Sequence, residues 1–323
     1  MRFVDVFNGD ADGLCALHQL RLVAPRDATL VTGVKRDIAL LQRVAPGADT
    51  RVTVLDVSLD QNRQPLLALL QSGAMVEYFD HHFAGEIPAH PGLCSHIETG
   101  AQVCTSMLVD RHLGGAHAVW AVVGAFGDNL AAAARRLAGP LAITPLQLEA
   151  LRELGESLNY NAYVDREADL IVHPARLYGI LHRHVDPFGV MDQEPLLRQV
   201  RDTRRQDLAL AQDLSPYATC RGGRVYLLPD TAWSRRVRGA WGNQLASDAP
   251  DLAHAVLAPA GAGAWVVSVR APVTTMRDAD VLCRQFAGGG GRAAAAGINH
   301  LPLERLADFV RAFALMFDQP ARD

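Results

Sequence analysis

Residues 1–20 read MRFVDVFNGDADGLCALHQL. Three features follow one another there: an apolar run over 3–7, an acidic and Gly-containing turn holding Asp10 and Asp12, and a helical pattern over 13–23. The same unit recurs through the first eighty residues. Residues 28–32 lead into a helical pattern at 37–44, 52–55 into one at 65–71, and 75–79 into the segment after Asp80. Strands alternating with helices of this length predict βαβ units and a parallel sheet covered on both faces. Ligands of such sheets bind beyond the carboxyl ends of the strands.

From residue 101 to about 184 the pattern turns helical, with Val103, Met107 and Leu108 on one apolar stripe and Leu146, Leu148, Leu151 and Leu154 on another. Residues 186–215 hold DPFG and a charged helical run before Pro216, the composition of a helical connector. Beyond it, strands are expected at 225–228, 253–257 and 265–269, and helices at 278–286 and 303–317. The expected architecture is α/β: a parallel-sheet N-terminal domain over 1–185, the connector over 186–215, and a smaller α/β domain over 216–323.

The 323 residues are 49% hydrophobic and 20% charged, with a formal net charge of -4, which suits burial of a core and excludes a disordered or fibrous chain. A mildly acidic chain is a poor match for long nucleic acid, whose binders rely on many Lys and Arg contacts to phosphate. Any nucleic-acid partner should be small. Asp5 and Asp10 interrupt what would be the apolar core of a signal peptide, and the weakly polar stretch 116–126 falls short of the roughly 20 residues that span a bilayer, so neither export nor a membrane partner is expected. Five cysteines without a CxxC pair argue against a disulfide framework or a structural zinc site, and a reducing cytoplasm is the default expectation.

The acidic clusters recur after predicted strands. Asp10 and Asp12 follow the first, Asp56 ends VTVLD, Asp80 with His81 and His82 follows MVEYF, and Asp128 sits in the turn GDN after the helix AVWAVVGAF. Parallel neighbours would bring these side chains to one edge of the sheet. Two like charges about 4 Å apart repel by roughly 4 kcal/mol at an effective dielectric near 20, so the cluster calls for cations. Carboxylates with imidazole favour Mn(II), with Mg(II), Co(II) or Zn(II) as alternatives. A lone DxDG is an ordinary helix cap and a His-His pair an ordinary surface feature. The recurrence after successive strands gives the pattern its specificity.

In that order FNGDADGLCA, VLDVS, YFDHH and GDN resemble the four motifs of the DHH phosphoesterase superfamily, the triplet being Asp80, His81 and His82. The tail GGGGRAAAAGIN, residues 288–299, is similar to the GGGGHxxAAG signature of the associated C-terminal domain found in RecJ nucleases and in the oligoribonuclease and cyclic-dinucleotide phosphodiesterase branch. The resemblance covers most of the chain apart from 146–214. It implies a DHH catalytic domain joined to a substrate-binding domain, with the active site in the cleft between them. It also implies two divalent ions: Asp56 bridges both, Asp10 holds one, and Asp12, His81 and Asp128 hold the other. Asp80 would orient a ligand, and His82 would face the substrate phosphate or the leaving oxygen. Arg270, Gly289, Gly290, Gly291 and Arg292 would hold substrate, the glycines offering backbone N–H groups ahead of a helical turn.

Two departures stand out. Where many relatives place a His shortly before the first Asp, this chain has Val6 and Asn8, and Asn8 can offer the first metal only a neutral carbonyl oxygen. Arg292 replaces the signature His and can grip phosphate in bidentate fashion. Outside the motifs, Arg235, Arg236 and Arg238 between Trp233 and Trp241 could form a base-stacking, phosphate-holding face or a plain solvated one. His182 and His184 read as structural, and Cys15 as buried packing.

The resemblance therefore implies hydrolysis of phosphodiester bonds in short oligonucleotides or linear dinucleotides, releasing nucleoside monophosphates by a two-metal mechanism. The alternatives are a small-nucleotide phosphatase of 3′-phosphoadenosine type, a cyclic-dinucleotide phosphodiesterase and, in another class, a non-catalytic binding or scaffold protein. Pyrophosphate hydrolysis ranks low, and a homodimer is left open.

Overall fold

The computed structural model describes residues 1–164, 166–260 and 263–318. It divides into two compact units, Met1–Thr203 and Arg204–Asp323. Strand β1 (Arg2–Phe7) runs into helix α1 (Ala11–Val23) through a turn made by Asp10. The Asp10 side chain accepts the N–H groups of Asp12 and Gly13 at 3.0 and 3.1 Å, which caps α1. Gly13 is needed there, because a Cβ would lie 2.2 Å from the Asn8 carbonyl oxygen. Then follow β2 (Thr29–Val31), β3 (Thr50–Leu55), α2 (Arg63–Gln71), β4 (Met75–Asp80) and β5 (Leu93–Ile97). The five strands are parallel, in the order β2-β1-β3-β4-β5.

One face of this sheet buries Val6, Val54 and Tyr78 against Leu66, Leu69 and Leu70 of α2. The other buries Phe7, Leu55 and Phe79 under α1 and the helices α3 (Thr105–His112), α4 (Ala118–Gly127), α5 (Ala131–Ala138), α6 (Pro145–Ala162) and α7 (Pro174–Leu181). After a short α8 (Val190–Gln193), the long helix α9 (Pro195–Gln212) supplies Leu197 and Val200 to this core. Farther along the same helix, Ala211 belongs to a core of the second unit, and the two units divide within α9.

The second unit contains β6 (Ala218–Cys220), β7 (Gly223–Leu227), α10 (Ala232–Asp248), β8 (Ala253–Pro259), β9 (Ala264–Arg270), α11 (Ala279–Cys283), β10 (Gly289–Gly291), β11 (Ala295–Pro302) and α12 (Leu306–Phe317). Its sheet runs β10-β11-β9-β8-β7-β6, with β7 and β8 parallel and the other pairs antiparallel.

Three local expectations fail for identifiable reasons. The helix expected over 37–44 shrinks to a single 3-10 turn, Leu40–Arg43, because the Asn62 side chain takes its polar groups: Leu41 N–H donates to Asn62 at 3.2 Å and Asn62 donates to the Ile38 carbonyl at 2.6 Å. Beyond Asp80 the chain runs to the unforeseen strand β5, a half-exposed edge strand whose LCSHI lacks an apolar run. The glycine-rich tail is a β-hairpin and not a turn followed by helix. Gly290 pairs with Gly297, and small residues are required because a Cβ on Gly297 would sit 2.7 Å from the Val267 carbonyl oxygen of β9.

Candidate metal centre

Parallel register carries Asp10, Asp12, Asp56 and His81 to the carboxyl edge of the first sheet, and the end of α4 adds Asp128. Asp12 is fully buried, and its two oxygens accept the first N–H groups of α3, from Thr105 at 2.7 Å and Ser106 at 2.8 Å. An anion at a helix N-terminus is favourably placed, so Asp12 is oriented before any cation binds. Asp56, in the left-handed region at φ 58°, accepts the Thr105 hydroxyl at 3.2 Å. His81 Nε2 lies 3.5 Å from Asp56 Oδ1 and 3.7 Å from Asp128 Oδ2.

Donor atoms of Asp12, His81 and Asp128 lie within 4.8 Å of one another, as do those of Asp56, His81 and His82. These hard to borderline donors, crowded and carrying net negative charge, fit a divalent cation of the Mn(II) or Mg(II) kind. Burial and the neighbouring Asp10 and Asp12 push the Asp56 carboxyl well above its usual range. Burial lowers the His81 pKa, but Asp56, Asp128 and Asp12 outweigh it and raise it to about 10. Both displacements measure the charge imbalance that a cation would relieve.

Asp80 is buried, and its Oδ1 lies 2.7 Å from His82 Nδ1, so the group that Asp80 orients is His82. The His82 side chain is 39% exposed beside the donor cluster.

Both polar atoms of the Asn8 side chain are engaged by backbone groups. Its Oδ1 accepts the Asp10 N–H at 3.2 Å and its Nδ2 donates to the Lys35 carbonyl at 3.3 Å. Lys35 is the residue that the sequence reading missed. It follows the three-residue strand β2 at the same sheet edge, and its ammonium donates to Asp10 at 2.5 Å, Asn159 at 3.2 Å and Asp128 at 3.4 Å. Burial opposes the charge on both partners of the closest contact, yet mutual attraction wins: the Asp10 carboxyl is held below its usual range and Lys35 well above its own. A divalent ion on Asp10 would stand about 4 Å from that ammonium, a repulsion of roughly 8 kcal/mol at an effective dielectric near 20. Asp10 therefore does not fit the expected role of holding an ion of its own.

In the second unit, Arg270 ends β9 and donates to Asn243 at 2.7 Å, the Ser268 hydroxyl at 2.9 Å and the Val269 carbonyl at 3.1 Å. Gly289, Gly290 and Gly291 form β10, and the exposed Arg292 stands at the turn into β11. The arginine run before Trp241 is not a base-stacking face. Arg238 and Trp241 are buried in α10, Arg235 pairs with Asp230 at 3.0 Å, and Arg236 pairs with Asp207 at 2.8 Å. Cys15 is buried, and His184 pairs with Glu194 at 2.7 Å, both in structural roles. Among the described residues, no helix is long and apolar enough to cross a membrane.

A parallel α/β unit with acidic and histidine side chains at its carboxyl edge, followed by a second sheet-containing unit, is a fold that the chain shares with solved RecJ and phosphodiesterase structures. The chain is similar over 99% of its length to an exonuclease RecJ bound to manganese, at 19% identity and a TM-score of 0.57, covering 91% of that protein. RecJ from Thermus thermophilus in complex with Mn2+ gives 19% identity and a TM-score of 0.58 over 99% of this chain, which spans 53% of that longer protein. The pGpG-specific phosphodiesterase PggH from Vibrio cholerae gives 14% identity and a TM-score of 0.54, over 98% of this chain and 99% of its own. No family model and no curated protein matches the sequence.

Proposed function

We propose that this chain is a divalent-metal-dependent phosphodiesterase that hydrolyses short oligonucleotides or linear dinucleotides to nucleoside monophosphates. The observation that carries the reading is the convergence of Asp12, Asp56, His81 and Asp128 beside a histidine that a buried carboxylate orients. A divalent ion held there, Mn(II) for preference, would polarise a phosphodiester and supply an activated water. The protein's own part is to fix the donors and to manage protons. Asp12 is locked on the α3 N-terminus, and Asp80 receives Nδ1–H of His82, leaving the other ring nitrogen for a substrate oxygen. Arg270, the Gly289–Gly291 strand and Arg292 are proposed to hold a phosphate away from the scissile bond. A manganese-bound exonuclease and a pGpG-specific phosphodiesterase of the same fold support the phosphodiester reaction.

The test is a panel with Mn(II): linear dinucleotides, longer single strands, cyclic dinucleotides and 3′-phosphoadenosine nucleotides. Fastest turnover on dinucleotides is expected, with rates falling as the strand lengthens. Equal rates on long strands would favour a RecJ-like exonuclease, preference for one of the last two classes would favour the corresponding alternative, and metal binding without turnover would favour a scaffold.

A further inference from the structure

We propose that the Lys35 ammonium stands in for one of the two cations expected at this centre, which then takes one divalent ion per chain. The proposal deepens the reading above and rests on the centre being a divalent-metal site. An ammonium has three hydrogens, and here all three find acceptors, on Asp10, Asp128 and Asn159, with the Tyr163 ring 5.6 Å away. Two of those acceptors are carboxylates expected to ligate metal. The backbone of Lys35 is fixed as well: its N–H donates to the Ala162 carbonyl at 3.0 Å, and its carbonyl accepts from Asn8. Asn8, two residues before Asp10, thus tethers the segment that delivers the ammonium. Asn8 is a positioning residue for Lys35.

Titration of metal-free protein with Mn(II), followed by calorimetry and electron paramagnetic resonance, tests this. Wild type and Lys35→Arg should bind one ion per chain with the spectrum of an isolated Mn(II). Folded Lys35→Ala, with Asp10 released, should gain a second ion and an exchange-coupled spectrum. Two coupled ions in active wild type, or a Lys35→Ala chain that stays at one, would overturn the substitution and leave the hydrolase reading standing; no ion in wild type would overturn both.

A separate cluster carries a second inference. Glu77 and Cys94 are register partners on β4 and β5, His96 lies two residues along the same face of β5, and His112 ends α3. Sγ of Cys94 is 3.4 Å from His96 Nε2, which is 3.5 Å from Glu77 Oε1, and His112 Nε2 is 3.9 Å from that oxygen. A tetrahedral Zn(II) with bonds of about 2.0–2.3 Å spaces its donors about 3.3–3.8 Å apart, and Cys, His and Glu are its usual ligands. We infer that Glu77, Cys94 and His96, whose donor atoms lie within 4.8 Å of one another, form a zinc site at the sheet edge, with His112 of α3 completing it after a small movement. No zinc-ligand spacing marks it in the sequence, because its donors come from three elements.

Cobalt(II) reports a thiolate ligand through an intense near-ultraviolet charge-transfer band. That band is expected in wild type, lost in Cys94→Ser, and formed with at least tenfold weaker affinity in His96→Gln. Zn(II) should also slow modification of Cys94 by a thiol reagent, read in a Cys220→Ser background because Cys220 is partly exposed whereas Cys15, Cys104 and Cys283 are buried. Absence of the band in wild type, or its survival in Cys94→Ser, would overturn the site.

Discussion

Asp80 Oδ1 lies 2.7 Å from Nδ1 of His82, and the same nitrogen stands 3.9 Å from Asp56 Oδ1, so this contact holds the ring beside the donor cluster. The second oxygen of Asp80 is buried and finds no hydrogen-bond partner among the described residues, so the carboxylate serves the imidazole alone. His82→Ala is expected to lower kcat by about 10²–10⁴-fold, the usual worth of a proton-transfer group. Asp80→Asn should cost about 10–100-fold, the range of a positioning partner. Asp80→Asn should keep wild-type Mn(II) affinity by calorimetry. Loss of metal in Asp80→Asn would instead make Asp80 part of the ion's own support.

Asp56→Ala removes the carboxylate shared between His81 and the cluster while leaving Asp12 held on α3. Hydrolysis should fall below detection and Mn(II) affinity should drop strongly, because metal binding depends on the complete donor set. Elemental analysis with folding checked by circular dichroism decides this. Unchanged metal content with retained turnover would remove Asp56 from the centre.

The acidic edge was legible because a βα repeat converts sequence order into spatial order: each strand delivers its terminal residue to one place, so Asp10, Asp56 and Asp80 announced themselves. Lys35 did not. It follows a strand of three residues, and its acceptors lie 25, 93 and 124 positions along the chain. Residues 288–299 misled in the opposite way, since a glycine run reads as a flexible turn until β9 lies beside it and makes small side chains a packing requirement. Strand β5 carried too few apolar residues to register, and the Glu77, Cys94, His96 and His112 cluster went unseen with it.

Asp5 sits in the middle of β1 on the face covered by α1, where Arg21 meets it with Nε at 2.8 Å and Nη2 at 2.5 Å and also donates to Thr53 at 3.0 Å. Both side chains are almost wholly buried. Arg21→Met would leave a buried carboxylate without its cation and should lower unfolding free energy by about 3–5 kcal/mol in urea titrations. Adding Asp5→Leu should recover most of that loss. If the double variant were as unstable as the single one, packing and not the stranded charge would be the cause.

Arg292→Ala tests the second unit's proposed part in substrate binding. Loss of one charge-assisted contact, about 1.5–3 kcal/mol, should raise KM for a dinucleotide roughly 10–150-fold with metal content unchanged. Arg292→His should recover part of the loss at acidic pH, where imidazole is charged, and less above about 6.5. Wild-type KM in Arg292→Ala would assign the hairpin to packing alone.

His18 offers a pH-dependent stability test away from the metal centre. Its ring is buried on α1, edge-on to Trp120 at 4.4 Å, with Nε2 2.9 Å from the His184 carbonyl oxygen and Nδ1 unpartnered among the described residues. Burial, aided by His182, His117 and His184 and opposed by the carbonyl contact, lowers its pKa to about 3. The unfolded chain, with a pKa near 6.5, therefore takes up this proton first as pH falls. The contribution is fully present above about 6.5 and is lost progressively toward 3, with a slope approaching about 1.4 kcal/mol per pH unit. His18→Gln can still donate to the His184 carbonyl but does not titrate. Urea unfolding of metal-free protein at several pH values between about 7 and 4.5 should show wild type losing stability faster than the variant, and parallel curves would place the acid sensitivity elsewhere.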